Sequence, residues 1–126
     1  MNFKLVLFMA KFERVFVYGS LRKGASNAHR MAKANFLCKA MVAGELYQVS
    51  WYPGLVLNGA SPVIGEVYEV PRKLMDDLDA YEGSEYRRLR RMVTDSGGAQ
   101  HEVWIYEFIA DAKNLQKNPE WRLDGG

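Results

Sequence analysis

Along most of this chain the apolar residues recur with a period of two, the spacing of strands, and a clear helical period appears in one place. Val63 to Val70 alternates, with Ile64, Glu66, Tyr68 and Val70 on one face and Val63, Gly65, Val67 and Glu69 on the other. That alternation predicts a strand. Residues 13–18 predict another, and because Val15, Phe16, Val17 and Tyr18 are apolar without a break, this strand is expected to be central and covered on both faces. Residues 36–49 read as one long or bent strand interrupted by Gly44, residues 86–94 as an arginine-rich strand, and residues 102–108 as a strong one.

Turn chemistry separates these runs. Pro53-Gly54 predicts a turn after Trp51 and Tyr52, residues 54–57 a short strand, and Asn58-Gly59 the strongest hairpin signal of the chain. Asp95-Ser-Gly-Gly98 predicts a hairpin loop, and Asn118-Pro119 a turn anchored by Trp121. The helical period lies between Pro71 and Gly83, where Leu74, Leu78 and Tyr81 recur at i, i+4 and i+7. A thinner stripe after Ser26 or Asn27, through Met31 and Ala32, predicts a second helix over 26–35. Strands joined by loops of hairpin length, with two flanking helices and glycines inside strands at 44 and 65, point to an α+β class. The expected architecture is a small, mostly antiparallel, curved β-barrel.

Composition adds exclusions. At 126 residues, 48% hydrophobic and 25% charged, the chain has the balance of one ordinary globular domain, here assigned to 13–126. Residues 1–12 read as an extension or a misassigned start, with Met9 as the rival first residue, and their apolar run is too short for a signal peptide or a membrane span. A net charge of +2 argues against nucleic acid, although Arg87, Arg88, Arg90 and Arg91 form one basic run that reads as a solvated strand face. One cysteine, Cys38, permits no internal disulfide, which suits a reducing, cytoplasmic setting. Set among Phe36, Leu37 and Met41 and distant in sequence from both histidines, it reads as a small buried hydrophobe. With His29 and His101 the only histidines, no metal is expected.

Two places carry chemistry. At Tyr18-Gly19-Ser20 an apolar strand empties into a glycine-bearing loop, where backbone N–H groups can converge into a nest for an anion. At Leu78-Asp-Ala-Tyr-Glu82-Gly83 a carboxylate occupies the last helical turn, the end at which the helix dipole disfavours negative charge. If also buried, such an acid has a raised pKa and suits general-base work. Glu82 is the candidate and Asp79, one turn earlier on the same face, its rival; Glu85 and Arg87 are neighbours able to pair locally.

Together these places form a pattern. Y-G-S-L at Tyr18 to Leu21, G-E-V-Y at Gly65 to Tyr68, L-D-x-x-E-G at Leu78 to Gly83, Y-x-R at Tyr86 to Arg88 and W-x-Y at Trp104 to Tyr106 occur in register over roughly residues 14–108. The set resembles the γ-glutamylcyclotransferase-like family, in its γ-glutamylamine cyclotransferase and AIG2-like branch. The resemblance implies a barrel with a cavity where the Y-G-S-L loop faces the helix-end glutamate. By it, Tyr18, Gly19, Ser20 and Leu21 bind a γ-glutamyl group through the loop backbone, Tyr106 lines the pocket and Glu82 is the general acid/base. The implied substrate is a small γ-glutamyl amide, closed on itself to 5-oxoproline without a cofactor. Arg22, Lys23, Trp51 and Tyr52 are candidate rim residues. The alternative is a domain of the same fold that binds a small molecule without turning it over.

Overall fold

The computed structural model describes residues 12–19 and 31–117. In chain order these give β1 (Phe12–Val17), β2 (Asn35–Gln48), β3 (Pro53–Pro71), α1 (Arg72–Glu82), β4 (Tyr86–Asp95), β5 (Gln100–Phe108) and β6 (Gln116–Lys117). Strand β1 pairs antiparallel with β3, Val15 opposite Tyr68, and parallel with β5, Val15 opposite Trp104. Strand β5 continues antiparallel to β4, β4 to β2, and β2 closes the circle against β3. The result is the expected curved α+β barrel, of five strands with one parallel seam, and β6 adds a short rung to β2 at Tyr47 and Gln48.

The period-two pattern divides the apolar residues between two cores. Phe16, Tyr18, Ala40, Leu46, Leu55, Val63, Val67, Val93, Val103 and Ile105 come from all five strands and fill the barrel. Val15, Val17, Tyr68, Val70, Tyr86, Tyr106 and Phe108 point outward and are covered by Met75 and Leu78 of α1. Strand β1 is therefore buried on both faces, as its unbroken apolar run predicts. The helix buries Met75 with Leu78, while Leu74 and Tyr81 pack at the margin. It ends at Gly83, whose φ of 77° is left-handed and whose N–H donates to the Asp79 carbonyl at 3.1 Å.

Four expectations change. Pro53 and Gly54 are not the turn: they pair with Gln48 and Tyr47 at the start of β3, and the chain reverses over residues 49–52, where Val49 N–H donates to the Tyr52 carbonyl at 3.2 Å. Asn58-Gly59 does not reverse the chain: β3 runs on for 19 residues and pairs with β2 on both sides of this point. The ladder passes from Gly44 opposite Ser61 to Glu45 opposite Val56, so residues 57–60 leave it as a bulge at Gly44. A partner strand on either side outweighs the local turn signal, and the freed N–H of Leu57 donates to Glu107 Oε2 at 2.8 Å. Of the helix expected over 26–35, residues 31–34 form a single tight turn, Ala34 N–H to the Met31 carbonyl at 2.9 Å, and Asn35 already belongs to β2. Residues 26–30, with His29, lie outside the described residues, as does the 118–121 turn.

The fourth concerns Cys38. It is half-buried, and its Sγ lies 3.8 Å from His101 Nε2, so the separation in sequence from His101 is not kept in the fold. The basic run on β4 is engaged as well: Arg87 pairs with Glu107, Arg88 with Asp79, and Arg90 with Glu13 and Glu102. No helix among the described residues is long and apolar enough to cross a membrane.

Gly65 faces the interior, where a Cβ would run into the Val17 carbonyl and come within 2.5 Å of the Phe16 ring. Gly65→Ala is expected to destabilise the barrel by about 1–3 kcal/mol through overpacking, read as a lowered urea midpoint with an unchanged m-value.

Candidate active site

Where β1 ends, Phe16, Val17, Tyr18 and Gly19 face the last turn of α1, and Trp51, Tyr52 and Pro53 close the third side. Tyr86 and Tyr106 contribute from β4 and β5. Between them is an open cavity of about 150 Å³, a volume of the order that takes a benzene-sized molecule. Its walls are largely aromatic.

Glu82 is the one carboxylate among the described lining residues. The helix has to place it there, because Met75 and Leu78 anchor α1 to the barrel and the next turn then projects over the mouth of the cavity. Half-buried, it has neither an ion-pair partner nor a hydrogen-bond donor among the described residues, and burial pushes its carboxyl from the usual range up to about 7. At neutral pH such a group is divided between its two protonation states. That is the condition under which one residue can both accept and return a proton.

The tyrosines around it are held neutral. Tyr18 donates to the Tyr106 carbonyl at 2.6 Å and accepts from Leu55 N–H at 3.3 Å. Tyr86 donates to the Pro53 carbonyl at 2.8 Å, fixing the loop that carries Trp51 and Tyr52. In Tyr18 and Tyr86, burial first and the nearby Glu82 charge second raise the phenol pKa. Burial, then the hydrogen bond to Asp79, raises that of Tyr106. They shape and dry the cavity rather than supply charge.

Asp79 is settled by the same neighbourhood. Its Oδ1 accepts from Tyr106 Oη at 2.6 Å and from Arg88 Nε at 3.1 Å, so this carboxylate is committed to a cation and a phenol on the flank of the helix. It positions Tyr106 and leaves Glu82 as the free acid. Glu85 and Arg87 do not pair with each other: Glu85 Oε1 accepts from Tyr52 Oη at 3.3 Å, and Arg87 reaches across to Glu107 at 3.1 Å.

The fold thus brings Tyr18, Gly19, Glu82 and Tyr106 to one cavity, with Trp51 and Tyr52 at its rim, where Trp51 stands 58% exposed. Ser20, Leu21, Arg22 and Lys23 lie outside the described residues. Sequence reasoning did not assign Tyr81, Tyr86 or Pro53 to the site. Tyr86 opens the Y-x-R motif, and a tyrosine three residues after a helix-ending acid-glycine pair is the available signal for it. Tyr81 carries only the signal of the helical stripe.

The family model described as "Gamma-glutamyl cyclotransferase, AIG2-like" matches residues 15–123. The chain is 35% identical over 111 residues to the gamma-glutamylcyclotransferase family protein YtfP of Escherichia coli, covering 86% of this chain and 95% of that protein. It is 36% identical over 118 residues to the gamma-L-glutamyl-butirosin B gamma-glutamyl cyclotransferase of Niallia circulans, covering 86% of this chain and 74% of that one. Among solved structures, an AIG2-like protein from Mus musculus superposes with a TM-score of 0.78 at 24% identity, over 88% of each chain.

The Glu82 shift links protonation to stability. A carboxyl whose folded pKa of about 7 exceeds its ordinary 4.5 favours the fold while protonated and loses that contribution as pH rises from 4.5 through 7. Glu82→Gln is therefore expected to unfold at higher temperature than the wild type at pH 8 and to match it near pH 4.5. Calorimetric scans across this range check the difference.

Proposed function

This chain belongs to the gamma-glutamyl cyclotransferase, AIG2-like family, and we propose that it is an enzyme that converts a small γ-glutamyl amide into 5-oxoproline and a free amine. The observation that carries this reading is Glu82, a carboxyl without a cationic partner among the described residues, poised at about 7 in the wall of an aromatic cavity opposite the Gly19 turn. The substrate's own α-amine is the nucleophile. It first gives a proton to the Glu82 carboxylate, and its nitrogen then attacks the γ-carbonyl carbon to close a five-membered ring.

The tetrahedral intermediate carries its negative charge on the former carbonyl oxygen. The backbone N–H groups of the Tyr18-Gly19-Ser20-Leu21 loop are the donors assigned to it, with Tyr106 and Tyr18 shaping the pocket around the γ-glutamyl carbons. Collapse of the intermediate breaks the bond to the leaving nitrogen, which takes the proton back from Glu82, and the ring nitrogen gives its second proton to the departing amine, which leaves as an ammonium. One lactam bond forms, one amide bond breaks, and the carboxyl ends as it began. No cofactor enters this scheme. Folding the γ-glutamyl chain so that amine and carbonyl meet is a further source of rate, and a narrow cavity with neutral, hydrogen-bonded walls is suited to it.

The γ-glutamyl acyl group is common to all γ-glutamyl amides, so it is the leaving amine that meets Trp51 and Tyr52 at the open side. The relative from Niallia circulans is named for a γ-L-glutamyl-butirosin B substrate, which makes amines larger than an amino acid reasonable members of a test panel.

Purified wild type and Glu82→Gln should be incubated with a panel of γ-glutamyl amides and 5-oxoproline quantified by mass spectrometry. The expected outcome is production by the wild type and a loss of about 10²–10⁴-fold in Glu82→Gln, with ligand affinity retained. The wild-type kcat/KM is expected to rise with pH through about 7 as Glu82 ionises. Binding without turnover across the panel would instead assign the chain to the non-catalytic reading of this fold.

A further inference from the structure

The barrel has a second polar end. Along β1 the inward-facing positions run from Arg14 through Phe16 to Tyr18, and Tyr18 opens onto the cavity. Arg14 therefore marks the opposite mouth. Three other inward positions meet there. Cys38 lies two residues before the buried Ala40 on β2, Asp95 is opposite Ala40 at the end of β4, and His101 is opposite the buried Val93 on β5. One ligand atom from each of Cys38, Asp95 and His101 lies within 4.8 Å of the other two.

The arrangement is not that of a nucleophile and its base. In a relay the thiol and the carboxylate would sit on opposite ring nitrogens. Here both approach Nε2, Cys38 Sγ at 3.8 Å and Asp95 Oδ2 at 2.8 Å, while Arg14 lies 3.4 Å from Nδ1. A neutral imidazole has a single proton to share between two groups on the same nitrogen. A cation bound at that point serves both.

We propose that Cys38, Asp95 and His101 form a zinc site that clasps the end of the barrel away from the cavity. Zn–S, Zn–N and Zn–O bonds of about 2.3, 2.0 and 2.0 Å in a tetrahedral centre put sulfur and nitrogen about 3.5 Å apart, and nitrogen and oxygen about 3.3 Å apart. The thiol and imidazole already stand at 3.8 Å. The carboxylate moves outward by about 0.5 Å to make room for the ion. Its other oxygen is held by the N–H groups of Gly97 and Ala99 at 2.9 and 3.0 Å, which leaves Oδ2 aimed at the site.

The donor set selects the ion. A thiolate, an imidazole and a carboxylate form the mixed S, N, O set that suits zinc over calcium or magnesium, and the two anions balance its charge. With the ion on Nε2 the ring proton resides on Nδ1, and the exposed Arg14 side chain turns toward solvent. The fourth position is left to water. Such a centre joins β2 to the β4–β5 hairpin, segments distant in sequence, so metal binding adds to folding free energy. This proposal is independent of the cyclotransferase reading.

The test uses the full chain, stripped with a chelator and titrated with Zn²⁺ alone, then with Co²⁺ as a spectroscopic probe. Expected are one Zn²⁺ per chain by elemental analysis, a raised thermal midpoint, and for Co²⁺ a near-ultraviolet thiolate charge-transfer band. Cys38→Ser and His101→Gln should lose the band and bind at least tenfold more weakly, while their metal-free unfolding temperatures report that they fold. In the wild type, Zn²⁺ should slow alkylation of Cys38, the chain's one cysteine. The proposal is overturned if Zn²⁺ is not retained stoichiometrically, if alkylation is unaffected, or if both variants bind as the wild type does.

Discussion

Burial of β1 on both faces is the constraint from which the rest of the molecule follows. Val15 and Val17 lie under α1 while Phe16 and Tyr18 fill the barrel, so this strand belongs to both cores. A strand covered on both sides needs a pairing partner along each edge, and β3 and β5 provide them. Once β1 is central, its end at Gly19 has to emerge at the rim of the barrel beneath the last turn of α1. The cavity is the space left where strand, helix end and the loop over residues 49–52 fail to meet.

The two ends of the barrel differ in chemistry for a physical reason. A small closed barrel fills its middle with side chains, here Phe16, Val67, Val93, Val103 and Ile105, and polar groups can be sustained only near its mouths. At the cavity end the polar groups are phenols with carbonyl or carboxylate partners, and among the described residues only Glu82 stays uncompensated. At the other end a thiol, an imidazole, a carboxylate and a guanidinium converge. Desolvation at the first end tunes one proton; convergence at the second creates a place for a cation.

Much of the architecture was legible because strand alternation is a local property. The runs at 15–18, 63–70 and 102–108 need only their own residues to be read, and so do the helix of Leu74 to Tyr81 and its glycine stop. Asn58-Gly59 misled because a turn signal is also local, whereas the β2 ladder that held β3 straight past it belongs to residues some fifteen positions upstream. The end of the 26–35 stripe was overruled in the same way, since Asn35 finds Glu69 across the ladder.

The candidate site divides along the same line. By itself the sequence determined a small curved α+β barrel, a glycine turn at the end of a buried strand, and a carboxylate in the last turn of one helix. Those are matters of periodicity and of residue type at a chain position. Choosing Glu82 over Asp79 required Arg88 and Tyr106, which β4 and β5 bring to the flank of α1. The neighbours of Cys38, likewise, lie 57 and 63 residues away along the chain (95 − 38 and 101 − 38). Only the tertiary structure decided which acid is desolvated and which is paired, because burial and pairing depend on groups that the chain separates and the barrel brings together.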